Sequence, residues 1–274
     1  MNIIDTNLDS IINDSIITLD VSNLISNNVC DLDHVCSLLF GIEVNLSHIN
    51  INDFKEKFFN IPNKLKINSI RKTNEISYGY TNYAGKQRKN ICSIEYKSLL
   101  VGNKLGYDSN IPELLCSHKD GDSEILYNTY IKDILSMMNN VIMTKFPQVY
   151  TRQNDKILND FKINSTCFTK VTIRVTGIDD PACKMHVDRS NYGYCCILIL
   201  NLEKDQHFSG GEQILQIGEH IYKLTCRHGD LFIGEYHNLV HGVLKVTQGR
   251  RCAIIAYTSN KIMSYFRLRK MMVS

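Results

Sequence analysis

"KMHVDRSNYGYCCILILN", residues 184–201, places a polar turn carrying a His-x-Asp pair directly before an apolar run. The apolar half is short, aromatic and aliphatic, and bounded by turn residues, which is the pattern of a strand. The same pattern continues outward from it. "CFTKVTIRVTG" precedes it, and "GGEQILQI", "HIYKLTC", "GDLFIGEY", "LVHGVLKV" and "RCAIIAYTS" follow, separated by Gly210, Gly211, Gly229, Asp230 and Gly249. Strands this closely spaced leave no room for helical crossovers, so the sheet is expected to be mainly antiparallel: a sandwich, barrel or jelly roll.

Upstream the periodicity differs. "EILYNTYIKDILSMMNNVIMTKF", residues 124–146, has apolar residues at helical spacing and ends at Pro147, which predicts a scaffold helix. Residues 1–65 are rich in Asn, Ile, Ser and Asp. "DLDHVCSLLFG", with Asp31 as cap, and "INDFKEKFFN" read there as short helices, so this segment is expected to be a helical N-terminal appendage on a main domain of 66–274. Between them Lys64, Lys66, Arg71, Lys72, Lys86, Arg88 and Lys89 are interleaved with Tyr78, Tyr80 and Tyr83. Tyrosines stack on bases while lysines and arginines meet phosphates, so the stretch suits nucleic acid; a solvated hairpin explains it equally well.

The bulk composition narrows the classes. The chain has 274 residues, 43% hydrophobic and 22% charged, and a net charge of +3, too small by itself to argue for a polyanionic partner. No apolar run approaches the ~20 residues that cross a bilayer. The N-terminus lacks the basic and apolar regions of a signal peptide, so an intracellular protein (nuclear or cytoplasmic) is expected. Its 10 cysteines contain no CxxC and are expected to behave as small hydrophobes, not as a zinc ribbon or disulfide framework.

Three His-x-Asp pairs occur: His118/Asp120, His186/Asp188 and His228/Asp230. Residues two apart on a strand share a face, so such a pair can reach one metal, provided a third donor arrives from elsewhere. His118 lies in the polar loop "SHKDGDSE", and His228 in "CRHGDLF", where Gly-Asp reads as a turn into a strand. His186 opens a strand-rich half, and His241 follows 55 positions on, after several strands that can return it to the same end of a β-helix. Two imidazoles and one carboxylate form the facial set that holds non-haem Fe(II). Arg250 and Arg251 then begin the strand "RCAIIAY"; an arginine aimed into an apolar barrel needs an anionic partner, and the distal carboxylate of 2-oxoglutarate is one. The residues alone leave His237 as a rival to His241, and Arg250 as a rival to Arg251.

The order His186-Val187-Asp188, Gly210-Gly211, Gly229-Asp230, then H-x-V-x-x-V-x-x-G-x-R from His241 to Arg251 resembles the Fe(II)/2-oxoglutarate dioxygenases, over roughly residues 166–260. The resemblance implies an α+β chain with a double-stranded β-helix (jelly-roll, cupin-like) core and flanking helices. It implies that His186, Asp188 and His241 bind iron, that Arg251 holds 2-oxoglutarate, and that O2 is consumed. "HVDRSN", with "GGEQ" and "GDLFIGEYHNLVHGV", is similar to the Tet/JBP group, which oxidises the methyl of 5-methylcytosine or thymine in nucleic acid. That likeness implies that Asn191 helps hold a flipped base and that Tyr257 stacks on it. The group's second 2-oxoglutarate arginine has no clear match; Arg174 and Lys184 are the candidates. Arg227, Lys245 and "RLRK" (267–270) are further basic residues for a nucleic-acid backbone. Two rival readings remain: a prolyl-type protein hydroxylase of the same superfamily, and a non-catalytic β-barrel binding module.

Overall fold

The computed structural model describes residues 16–25, 39–61, 74–82, 112–115, 121–154, 162–189, 191–203 and 207–260. In chain order the elements are β1 (Ile16–Leu19), α1 (Val21–Ile25), β2 (Leu39–Glu43), α2 (Ile51–Asn60), β3 (Asn74–Asn82), β4 (Pro112–Leu115) and α3 (Gly121–Leu126). A π-helical turn (Tyr127–Ile131) joins α3 to α4 (Lys132–Lys145), and α5 (Pro147–Gln153) follows. The rest is strand: β5 (Lys170–Thr176), β6 (Cys183–His186), β7 (Asn191–Asn201), β8 (Ser209–Gly210), β9 (Gln213–Ile217), β10 (His220–Leu224), β11 (Asp230–Gly234), β12 (Val240–Val243), β13 (Val246–Gln248) and β14 (Arg251–Ser259).

Two sheets face each other. The smaller runs β1-β10-β9-β12-β6 and the larger β2-β11-β7-β14-β5-β3-β4, with β13 and β8 forming a separate ribbon. From β5 onward the chain passes back and forth between them: β5, β7, β11 and β14 in the larger, β6, β9, β10 and β12 in the smaller. Neighbouring strands in these sheets are antiparallel, except that β1 runs parallel to β10. This is the jelly-roll arrangement expected from the closely spaced strands.

Strand β7 explains the apolar run that opened the reading. Its Cys195, Ile197 and Ile199 point between the sheets, with Leu215, Ile217, Phe232 and Ala253. Its Cys196, Leu198 and Leu200 point the other way, onto a second core containing Phe54, Phe58, Ile134, Met138 and Ile142 from the helices. A strand covered on both faces has no position left for a polar side chain, so alternation disappears. Helix α4 supplies its cover through Ile134, Leu135, Met138 and Ile142, spaced along one stripe and all 0% exposed. It stops at Lys145, before Pro147 opens α5. Helix α2 is capped by the Asn50 side chain, which accepts from the Asp53 N–H at 3.1 Å, and it buries Phe54 and Phe58 one turn apart.

The six described cysteines that are assigned a state are all free thiols, and Cys167, Cys195, Cys196 and Cys252 are buried. Burial pushes the Cys167 and Cys252 thiols up to about 12, so they act as small apolar side chains.

The N-terminal reading needs correction. Within residues 1–65 the described parts are not only helical: β1 extends the smaller sheet beside β10, and β2 extends the larger beside β11. Leu39–Gly41, expected at the end of a helix from Asp31, open β2 instead, because Leu39 and Phe40 pair with Gly234 and Ile233 at the edge of β11. The earlier part of that expected helix lies outside the described residues. No helix among the described residues is long and apolar enough to cross a membrane.

Candidate metal centre

His186 ends β6 and His241 is the second residue of β12. The two are register partners across the strand pair, with ring centroids 4.4 Å apart. Gly242 permits that approach: a Cβ there would sit 2.8 Å from the Cys183 carbonyl oxygen and 2.9 Å from the Met185 sulfur. Asp188 is not on the strand with His186; it lies just past it, where its N–H donates to the Tyr236 carbonyl at 2.9 Å. The turn therefore swings the carboxylate back over the histidines.

One donor atom from each of the three side chains falls within 4.8 Å of the others, and this is the one His/Cys/Asp/Glu group of that kind among the described residues. His186 Nε2 is 3.4 Å from Asp188 Oδ1 and His241 Nε2 is 3.8 Å from Asp188 Oδ2. Each Nδ1 faces a backbone carbonyl, Lys184 O at 2.8 Å for His186 and Leu239 O at 2.9 Å for His241. A ring that donates Nδ1–H to a carbonyl carries its lone pair on Nε2. Two lone pairs and a carboxylate then converge, an arrangement that calls for a cation at the centre. Without a metal a proton serves: burial opposes charge on His186, but the Asp188 carboxylate and the Cys183 thiol outweigh it and hold its pKa at about 10. Burial would raise Asp188, but His186, His241 and Arg174 hold it below the usual carboxylate range.

Neighbouring groups orient this set. Asn191, 4% exposed, donates its amide Nδ2 to Asp188 Oδ2 at 3.2 Å. Arg174 on β5 binds Glu75 Oε2 through Nε at 3.1 Å and through its terminal nitrogen at 2.9 Å, the two residues being register partners across β3 and β5. Lys184 is exposed, and it is its carbonyl that serves the site. His237 stands apart, with Nδ1 3.1 Å from the Gly193 carbonyl oxygen. The pair His228/Asp230 forms a turn as expected: His228 Nδ1 accepts from the Asn201 N–H at 3.2 Å and Asp230 Oδ2 from the Arg227 N–H at 2.7 Å. His228 also lines an open cavity of about 650 Å³ with Glu43, Asn45 and Ser47, which contains none of the triad. His118/Asp120 lies outside the described residues.

The two arginines diverge. Arg250 points outward, stacks over the Phe59 ring at 4.9 Å and reaches Glu203 at 3.8 Å. Arg251 turns into the space between the sheets, on the face of β14 that carries Ala253, and is 4% exposed. Its Nε has no hydrogen-bond partner. Gly211, at φ +71°, makes room for it: a Cβ there would lie 2.8 Å from Arg251 Cδ. A buried guanidinium with an unmet donor, in the same space between the sheets that the triad borders, fits an anionic ligand that also binds a metal.

No protein-family model and no curated protein sequence matches the chain. Solved structures do.

The chain shares its fold with NgTET1.

That structure, of NgTET1 in complex with 5mC DNA, is similar at a TM-score of 0.55 over 81% of this chain and 72% of that one, at 11% identity, so the likeness is one of fold. A 2OG-Fe(II) oxygenase-family oxidoreductase from Burkholderia pseudomallei gives a TM-score of 0.47, 13% identity, and 89% and 94% coverage of this chain and of that one. A Pseudomonas putida prolyl-4-hydroxylase gives 0.35, 15% identity, and 46% and 64% coverage.

Tyr257 lies on the same inward face of β14 as Arg251 but toward its other end, near Ser259, which pairs with Asn191 at the triad. The Lys170 ammonium sits 5.5 Å from its ring centroid. Tyr78, grouped in the sequence with base-stacking tyrosines, is 1% exposed and packs on Tyr127 in the core, so it presents no stacking face. The lysines and arginines of the 64–89 stretch, and "RLRK" at 267–270, lie outside the described residues.

Two residues at the site carried no motif. Tyr236 packs edge-on against His241, ring centroids 4.9 Å apart, and donates its hydroxyl to Gln213 Oε1 at 2.9 Å. The signal in the sequence was a polar Gln213 in the same inward register as Leu215 and Ile217.

Proposed function

We propose that this chain is an Fe(II)- and 2-oxoglutarate-dependent dioxygenase that works inside the cell and hydroxylates the methyl group of a nucleobase, 5-methylcytosine or thymine, in nucleic acid. The observation that carries the reading is the pairing of a two-imidazole, one-carboxylate cluster with a buried arginine whose Nε has no partner, inside one jelly roll. The fold shared with NgTET1, solved with 5mC DNA, supports the nucleic-acid substrate, as do the lysines and arginines of the 64–89 stretch. The catalytic residues all fall in the proposed oxygenase domain of 66–274.

In this reading His186, Asp188 and His241 would hold the iron, each through one donor atom. Bound there, iron and 2-oxoglutarate supply an oxidative decarboxylation, giving succinate and CO2, that is coupled to hydroxylation of a C–H bond. Arg251 anchors the distal carboxylate of 2-oxoglutarate and so sets the orientation of its oxo-acid end. Asn191 keeps the Asp188 carboxylate turned toward the histidines. Leu215, Ile199 and Phe232 line the space between the sheets and exclude water. Tyr257, on the inward face near the triad end of β14, offers a ring for a base rotated out of its stack, the step a duplex substrate requires.

The test is succinate release from 2-oxoglutarate with Fe(II), with and without methylated DNA, followed by mass spectrometry of the digested nucleosides. DNA-stimulated turnover with a nucleoside gaining oxygen is the expected result. Turnover stimulated by a prolyl peptide and not by DNA would replace the substrate, and no turnover would point to a binding module.

A further inference from the structure

Arg251 is not the only unmet donor between the sheets. Gln213, at the start of β9, is 1% exposed, and its Nε2 has no hydrogen-bond partner; with Arg251 Nε it makes up the buried side-chain nitrogens and oxygens left unsatisfied among the described residues. Burying an amide donor unpaired costs about 1–3 kcal/mol, so two in one core require a reason.

Their placement gives one. Gln213 is two residues from Leu215, the register partner of His241, so it lies on the inner face one step from the triad. The Tyr236 hydroxyl, on the ring that packs against His241, donates to Gln213 Oε1 and thereby commits Nε2 to face away from Tyr236. Cys226 packs against the same inter-sheet cluster. Contacts therefore run from His241 through Tyr236 to Gln213, and Arg251 packs on Gly211, two residues before Gln213 in the chain. No carboxylate of the described residues pairs with this arginine, and Glu203 pairs with the neighbouring Arg250.

We infer that Gln213 is a second binding residue for the anionic co-substrate: Nε2 donates to the same dicarboxylate that Arg251 grips, and Tyr236 orients the amide for it. The inference rests on the 2-oxoglutarate reading above. A neutral donor beside a guanidinium adds direction without adding charge, so the pair selects a ligand with a carboxylate at the far end of the pocket. A keto acid that lacks that carboxylate, pyruvate, gains nothing from either residue.

The experiment is calorimetry under anaerobic conditions on the full chain loaded with Mn(II), titrated with 2-oxoglutarate and separately with pyruvate. The variants are Gln213→Met, Gln213→Glu and the double variant Gln213→Met with Tyr236→Phe. Gln213→Met is expected to weaken 2-oxoglutarate roughly ten- to thirty-fold, the loss of one hydrogen bond to a charged group. Gln213→Glu, which sets a carboxylate against a carboxylate, is expected to weaken it by more. Pyruvate and Mn(II) affinities stay as in the wild type. Because the double variant removes an unmet donor and leaves no orphaned hydroxyl, its ligand-free melting temperature stays level or rises, which a residue serving only the fold would not allow. Unchanged 2-oxoglutarate affinity in both single variants, or a fall in the double variant's melting temperature with affinity retained, overturns the inference alone. Wild-type protein that binds Mn(II) but not 2-oxoglutarate overturns the co-substrate reading and this inference with it.

Discussion

Adjacent residues can sit in opposite dielectric environments, and Arg250 and Arg251 do. Arg250 is about half exposed at its side chain, and its contact with Glu203 is a surface pair worth no more than about 1 kcal/mol. Arg250→Met is therefore expected to leave 2-oxoglutarate binding and turnover intact and to shift stability by less than about 1 kcal/mol. Arg251→Met removes a buried donor that the protein alone does not satisfy. It is expected to abolish 2-oxoglutarate binding by calorimetry while the ligand-free protein melts no lower than wild type. If the two variants exchange phenotypes, the arginine has been misassigned. Asn191 makes the other residue-scale prediction. Its amide turns Asp188 toward the histidines, so Asn191→Ala is expected to weaken metal binding about 10–100-fold, read by chelator competition. A base-holding role alone would instead raise the Michaelis constant for DNA and leave the metal where it was.

Strand β11 carries a titratable group at its first residue. Asp230 is 4% exposed, and burial pushes its carboxyl up to about 6 even though the Arg227 N–H and the Arg227 charge favour ionisation; Glu43 and Asp20 push the same way as burial. The folded pKa lies above the ordinary aspartate value of 3.8, so between those two values the native state holds the proton that the unfolded chain has lost. The stabilisation is fully present below the lower value and is lost as pH rises through about 6. At pH 7 the ionised carboxylate costs the strand on the order of 3 kcal/mol. Asp230→Asn keeps an oxygen to accept from the Arg227 N–H and removes the charge, so it is expected to raise stability to denaturant at pH 7. The gain over wild type should shrink toward zero at pH 4. A gain that does not vary with pH would mean that burial is not what Asp230 opposes.

At the scale of the whole molecule, what was legible followed from side-chain period. Seven strands showed themselves because their residues are β-branched or aromatic and end at Gly or Asp, and the helix over 124–146 showed itself because Ile134, Met138 and Ile142 recur on one face. Strand β6 did not: "CKMH" is too short to show a period, although it carries His186. Strands β1 and β2 were hidden because Ile and Leu serve helix and strand alike, and only pairing with β10 and β11 decides. The triad was readable because its spacing is a motif, whereas Gln213 and Tyr236 acquire meaning only when the sheets bring them together. The same pairing bears on the first 65 residues. They contain none of the proposed catalytic groups, yet Phe54 and Phe58 are 0% exposed in the core that also holds Ile134, Leu198 and Ile254, and β2 covers the edge of β11. Phe54 stacks on Phe58 and meets Tyr130 edge-on at 5.6 Å. Phe54→Ala is expected to cost about 3–5 kcal/mol in chemical denaturation, with the triad's geometry untouched. A chain beginning at residue 66 would lose both phenylalanines, the cover of β11 and the strand beside β10 together, more than a marginal fold of about 5–15 kcal/mol sustains. It is expected to aggregate or to unfold without a cooperative transition by circular dichroism; a soluble, cooperatively melting 66–274 that binds Mn(II) would show that the first 65 residues are a dispensable appendage after all.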